Sequence, residues 1–200
     1  MKGKNYSEDY PLIREIVQKQ DSESFRKLYD KYKDRVYATA YRISGNADEA
    51  SDITQDTFQR VFRQLKKFKF ESSFSSWLYK VCVNICLDHR RQRASRQTLS
   101  MDGESPTGRP FSADMVDTGA EQPEDVATRS EFNRAIQASL DRLGPKLRAV
   151  VVLRYMQGLS YQEISEVLNL SMGTVKSRLN RAHEDLKPHL QRIMRTFSEK

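Results

Sequence analysis

With 200 residues, 38% apolar and 30% charged, the chain has room for one or two small domains and is too polar for one large core. Its formal charge of +7 admits a nucleic-acid partner through phosphate contacts without requiring one. Two cysteines, Cys82 and Cys86, cannot make a disulfide framework, no run approaches the ~20 apolar residues of a membrane span, and MKGKNYSEDYPLIREIV lacks a signal peptide, so a cytoplasmic protein with no direct membrane insertion is expected.

Helical spacing begins with Leu12, Ile13, Ile16 and Val17, and continues through Phe25, Leu28, Tyr29 and Tyr32 to Val36, Tyr37, Ala40 and Tyr41. Gly45 breaks the run. The next helix carries Asp48 and Glu49 in its first turn, where the helix dipole favours acids, and an apolar stripe of Ile53, Thr57, Phe58, Val61, Phe62 and Leu65. KFKFESSFSS is a break, and Trp77, Leu78, Val81, Cys82, Ile85 and Leu87 mark a fourth helix. From Gln97 to Ser130 the net charge is −5, against +12 for the rest, and DGESPTGRPFSADMVDTGAEQPED lacks helical periodicity. Gly103–Gly108 has the glycine spacing of a phosphate loop, but Arg109 and Pro110 stand where Lys and Ser or Thr are needed. AVVVL (149–153) is ambiguous between strand and helix, and its neighbours Leu147 and Met156 favour a buried helix. The expected fold is all-α: two small helical domains, 1–96 and 127–200, joined by a flexible acidic linker, 97–126, with a helix-turn-helix in the C-terminal domain.

LSYQEISEVLNLSMGTVKSRLNRAHEDL carries that last expectation. Ser160 and Glu163 form a capping box, Ile164, Val167 and Leu168 face inward, and Ser165 is the small residue a helix crossing needs. Asn169 tolerates a left-handed turn, Leu170 plugs the corner, and Ser171 caps a second helix with Val175, Leu179, Ala182 and Leu186 inside. Lys176, Ser177, Asn180 and Arg181 are left outside, with Arg178 to one side. Such a polar outer face fits the major groove, where these side chains can donate to base edges. A solvated helical hairpin is the plain alternative.

Three features of the first domain bear on function. Asp48, Asp52 and Asp56 recur every four residues with Gln55 beside them, an anionic stripe whose self-repulsion a cationic protein would offset. Arg60, Arg63, Lys66, Lys67 and Lys69 precede Phe68, Phe70, Phe74, Trp77 and Tyr79, a pairing suited to single-stranded DNA, with Phe74 and Trp77 expected in the core. HRRQRASR places Arg90, Arg91, Arg93 and Arg96 at a helix end, where they can hold phosphates. Cys82, Cys86 and His89 share a face, but three ligands on one helix rarely close a metal site, so neither metal nor cofactor is expected. No nucleophile–base constellation is visible, so neither is catalysis.

DITQDTFQRVFRQLKKF, SSFSSWLYKVCVNICLDHRR and LRAVVVLRYMQGLSYQEISEVLNLSMGTVKSRLNRA together resemble the extracytoplasmic-function group of bacterial sigma factors. The resemblance implies a non-catalytic subunit that binds core RNA polymerase and directs promoter-specific initiation. It implies docking through Asp52, Gln55 and Asp56, and minus-ten capture through Phe68, Ser72 and Asn84, with Arg90 and Arg91 on phosphates. It further implies minus-thirty-five reading by Lys176, Ser177, Asn180 and Arg181, with Arg154, Thr174 and Arg178 on phosphates. Core RNA polymerase, promoter DNA and an anti-sigma factor are the implied partners. Phe70 and Glu71 depart from the group, whose loop often has a Gly and an acid there. GLSYQEISEVLNLSMGTVKSRL also resembles LuxR-type regulators, but such a protein needs a sensor or receiver upstream, and residues 1–96 read as helices only.

Overall fold

A computed structural model describes residues 8–99 and 123–198, with side chains through 93 and again from 129. The interior of the acidic stretch, including Gly103–Gly108 and Arg109, lies outside the described residues, as does the side chain of Arg96. Among the described residues there is helix and no strand: α1 (Asp9–Lys19), α2 (Ser22–Ser44), α3 (Ala47–Gln64), α4 (Phe74–Leu99), α5 (Pro123–Asp141), α6 (Pro145–Val151), α7 (Tyr161–Leu168) and α8 (Met172–Ser198). Helix thus reaches into both ends of the stretch read as linker.

Local chemistry sets the boundaries. Asp21 caps α2 by accepting from the Ser24 N–H at 2.9 Å, and Asn46 caps α3 by accepting from Glu49 at 2.8 Å. Between them Gly45 ends α2 at φ 80°, a left-handed conformation that favours glycine. A side chain there would also meet the Asp141 carboxylate, 2.8 Å from the ideal Cβ position. The ambiguous AVVVL is helical and buried, but not uniformly: α6 passes at Val152 into a π-turn, Val152–Met156. The widened turn brings Arg154 to donate to the Leu159 carbonyl at 2.9 Å, closing the entry to α7.

Helices α1–α4 pack as one bundle and α5–α8 as another. Ile13, Leu28, Val36, Ile53, Val61, Phe74 and Leu78 fill the first; Val150, Leu153, Ile164, Val175 and Leu179 fill the second. The two lie against each other and share one contiguous apolar core, α4 resting on α7 and α2 on α5, α6 and the π-turn. Polar groups stitch this seam. Arg42 donates to the Asn133 backbone carbonyl and side chain and to Gln137, and Gln157 donates to the Thr39 hydroxyl at 2.9 Å. Arg148, only 2% exposed, sends Nη1 to the Ile43 carbonyl at 2.9 Å and to Asp141 at 2.8 Å, and Nη2 to Leu143. The Ile43 carbonyl is one of the acceptors the end of α2 leaves unpaired, so a cation there completes the helix and joins the bundles at once. Burial pulls the Arg148 pKa down to about 10, opposed by Asp141, and Nε has no partner.

Candidate DNA and protein interfaces

The helix-turn-helix is built as its sequence dictates. Ser160 accepts from the Glu163 N–H while the Glu163 carboxylate accepts from the Ser160 N–H at 2.8 Å, a complete capping box. Asn169 takes φ 51°, and the Thr174 N–H donates to the Ser171 hydroxyl at 3.1 Å, starting α8. Ser165 does more than stay small: its hydroxyl donates to the Leu170 carbonyl at 2.7 Å and fastens the turn. On α8, Val175, Leu179, Ala182 and Leu186 are buried. Lys176, Ser177, Asn180 and Arg181 are exposed, with Thr174 and Arg178 half-buried at their flank. Ser177 already donates to the Thr174 carbonyl. Lys176, Asn180 and Arg181 make no hydrogen bond or ion pair among the described residues and remain available to a ligand. Arg154 is more committed, its guanidinium lying 5.2 Å from the centre of the Tyr161 ring besides its bond to Leu159.

On α3 the acids divide. Glu49 turns toward Arg93 at 3.7 Å, whereas Asp48, Asp52, Gln55 and Asp56 are exposed. Asp56 has His89 at 3.6 Å. Beside this stripe an open groove of about 860 Å³ runs between α2 and α3, walled by Phe25, Tyr29, Phe58 and by Phe62, which is 57% exposed.

The loop between α3 and α4 starts as a 3-10 turn, Leu65–Lys67. Phe68 is buried against Phe70, Phe74 and Trp77. Phe70 sits at φ 56°, a region where a Cβ is strained, with its ring edge-on to Tyr10 and Phe68. Phe74 is core as expected. Trp77 is only half-buried and, with Lys67, Phe68, Ser72 and Lys80, lines a cavity of about 510 Å³. Glu166 and Val167 of α7 line the same cavity. Asn84 is exposed one turn beyond Lys80 and does not line it. Lys80 escaped the sequence reading because it lies outside the basic run; its spacing from Trp77 and Asn84 on one helix face was the available signal.

At the end of α4, Arg90 donates to the Ile43 carbonyl at 3.3 Å and Arg91 pairs with Asp88 at 3.1 Å. Cys82 and Cys86 are buried thiols; Cys82 donates to the Val36 carbonyl, and Cys86 is pushed up first by its bond to Cys82 and then by burial. His89 faces Asp56 instead of joining them.

Helix throughout the described residues, with a helix-turn-helix whose outer face is cationic, is the architecture of a DNA-binding transcription factor. Residues 28–96 match sigma-70 region 2 and residues 133–186 match sigma-70 region 4. The ECF RNA polymerase sigma factor SigW of Bacillus subtilis is 35% identical over 175 residues, covering 88% of this chain and 93% of that protein. SigE of Mycolicibacterium smegmatis, also an ECF sigma factor, is 37% identical over 84% of this chain and 62% of its own length. The fold is shared with the sigma factor RpoE of Bartonella quintana, solved with the anti-sigma factor NepR, at a TM-score of 0.66 and 23% identity over 84% of this chain and 98% of that one. The chain belongs to the ECF RNA polymerase sigma factors, which are transcription initiation factors. Residues 28–96 match sigma-70 region 2 and not a receiver domain, so these likenesses support the sigma-factor reading and lend no support to the LuxR-type alternative.

Proposed function

We propose that this protein is the promoter-specificity subunit of a bacterial RNA polymerase, acting in the cytoplasm without catalysis of its own. Residues 1–96 serve core binding and minus-ten capture, 97–126 act as tether, and 127–200 read the minus-thirty-five element. The observation that carries the reading is the outward face of α8, where Lys176, Asn180 and Arg181 are exposed and unengaged. Arg178 and Thr174 flank it on the phosphates, Ser177 adds a hydroxyl, and Arg154 reaches the backbone from the entry to α7. Asp52, Gln55 and Asp56 dock on a cationic coiled coil of the polymerase, and the exposure of all three supports that role. Phe68, Ser72 and Asn84 receive unstacked bases, with Arg90 and Arg91 holding the strand. Because RpoE, which shares this fold, was solved in complex with the anti-sigma factor NepR, we assign this chain an anti-sigma partner as well.

The test is in vitro transcription from genomic fragments by purified core polymerase with and without this protein. New start sites sharing two motifs about two helical turns apart are expected. No new initiation, with no co-elution with core polymerase, would sink the reading and point to a stand-alone regulator.

A further inference from the structure

The loop that shapes the cavity between α3 and α4 turns at a residue ill-suited to turning. Lys67, Phe68 and Lys69 line that cavity before Phe70, and Glu71 and Ser72 line it after, while Phe70 itself does not. The chain therefore folds back at Phe70, and φ 56° is the turn. Glycine adopts this conformation freely; phenylalanine holds it only where its surroundings insist. Those surroundings are aromatic. The Phe70 ring meets Phe68 edge-on at a centroid distance of 4.9 Å and Tyr10 at 4.8 Å. Tyr10 lies outside the loop, in the first turn of α1. That helix is itself held fast. Asp9, only 2% exposed, accepts from the Tyr32 hydroxyl and from Lys31, both at 2.7 Å, and Ile13 and Ile16 are buried in the core. With 36% of its surface still exposed, Phe70 is not a core filler whose burial would explain the strained backbone.

Resting on the function proposed above, we infer that Tyr10 and Phe70 are positioning residues for single-strand capture. Tyr10 is a post on a fixed helix, and Phe70 ties the loop to it. The tie keeps the loop in the one fold that gathers Lys67, Lys69, Ser72 and Trp77 around a single cavity. Neither ring has to touch DNA. Without the tie the loop samples other shapes, and ordering it again weakens the binding of a strand. Helix α1 thereby contributes to capture although it lines no part of the cavity.

The experiment compares the full chain with Tyr10→Ala, Tyr10→Phe and Phe70→Gly, all below the lowest of their melting temperatures. Two quantities are read: binding of a short fluorescent single strand by the free chain, and permanganate reactivity of unpaired thymines when each chain is joined to core polymerase on a promoter found in the transcription test. Tyr10→Ala and Phe70→Gly should each lose about fivefold in both, the worth of one aromatic pair. Tyr10→Phe keeps the ring and should match the parent. Phe70→Gly takes φ 56° without strain, so it should melt close to the parent while still losing capture. Binding of a mixed-sequence duplex and co-elution with core polymerase should not change in any variant. Undiminished capture in Tyr10→Ala or Phe70→Gly would overturn the inference. So would a loss that Tyr10→Phe shares, which would make the hydroxyl a direct contact, or a loss matched by duplex binding and co-elution, which would be a general defect of folding. Failure of the parent itself to initiate would instead strike at the sigma-factor reading, and the single-strand measurement would still decide the role of the two rings.

Discussion

Arg148 shows how one residue can serve two bundles. Its guanidinium is buried while its carboxylate partner Asp141 is 44% exposed, so the pair is not isolated from water on both sides. What the site demands is a fork, because three acceptors (the Ile43 and Leu143 carbonyls and Asp141) surround one side chain. Arg148→Lys keeps the charge and loses the fork, so it cannot serve all three acceptors, and the Ile43 carbonyl is left to Arg90 alone. A loss of about 2 kcal/mol in urea unfolding is expected. Asp21 supplies a pH dependence. Hydrogen bonds from Ser24 hold its carboxyl below the usual 3.8. A carboxylate with a lowered folded pKa contributes stability above its unfolded value and loses it as pH falls through the lower one. Asp21→Asn keeps an acceptor for the cap but cannot titrate. Thermal melts should therefore find the parent more stable at neutral pH, with the difference vanishing in the acid limb below pH 3.8.

At the scale of elements, the proposed function assigns base reading to α8 and docking to α3. Asn180→Ala and Arg181→Ala should each cost about 1–3 kcal/mol of discrimination at one base pair of the minus-thirty-five element, read by promoter competition. Arg178→Ala should weaken all duplexes alike and lower the salt slope by about one. Asp52→Lys with Asp56→Lys should abolish co-elution with core polymerase while leaving DNA binding intact. These elements were legible because their signals are local: the Ser160–Glu163 box, the left-handed Asn169, the Ser171 cap and the break at Gly45 all act within a few residues. The π-turn at Val152–Met156 was not legible, because a run of Val and Leu gives the same pattern for either helix geometry. The turn contact of Arg154 and the half-buried position of Trp77 were not legible, for one reason. Whether a long side chain points into a turn or lines a cavity is decided by packing rather than spacing. The acidic stripe's call for a cationic partner and the α8 face's fit to the major groove could be read from periodicity and charge, but the polymerase and the promoter elements required the family resemblance.

At the scale of the whole molecule, the contact between bundles had no sequence signature. Arg42, Thr39 and Gln157 look like ordinary surface polar residues, and their partners lie about a hundred positions away in the chain. Because the apolar core is contiguous across that contact, the protein should unfold in a single calorimetric transition. Arg42→Glu should split it into two, one for each bundle.

Glu163 has two oxygens and uses them differently: Oε2 closes the capping box with Ser160, and Oε1 accepts from Ser76 across the contact. Parting the bundles forfeits only the second. The capping box that starts α7 is complete within its own bundle, so the helix-turn-helix does not draw its shape from that contact.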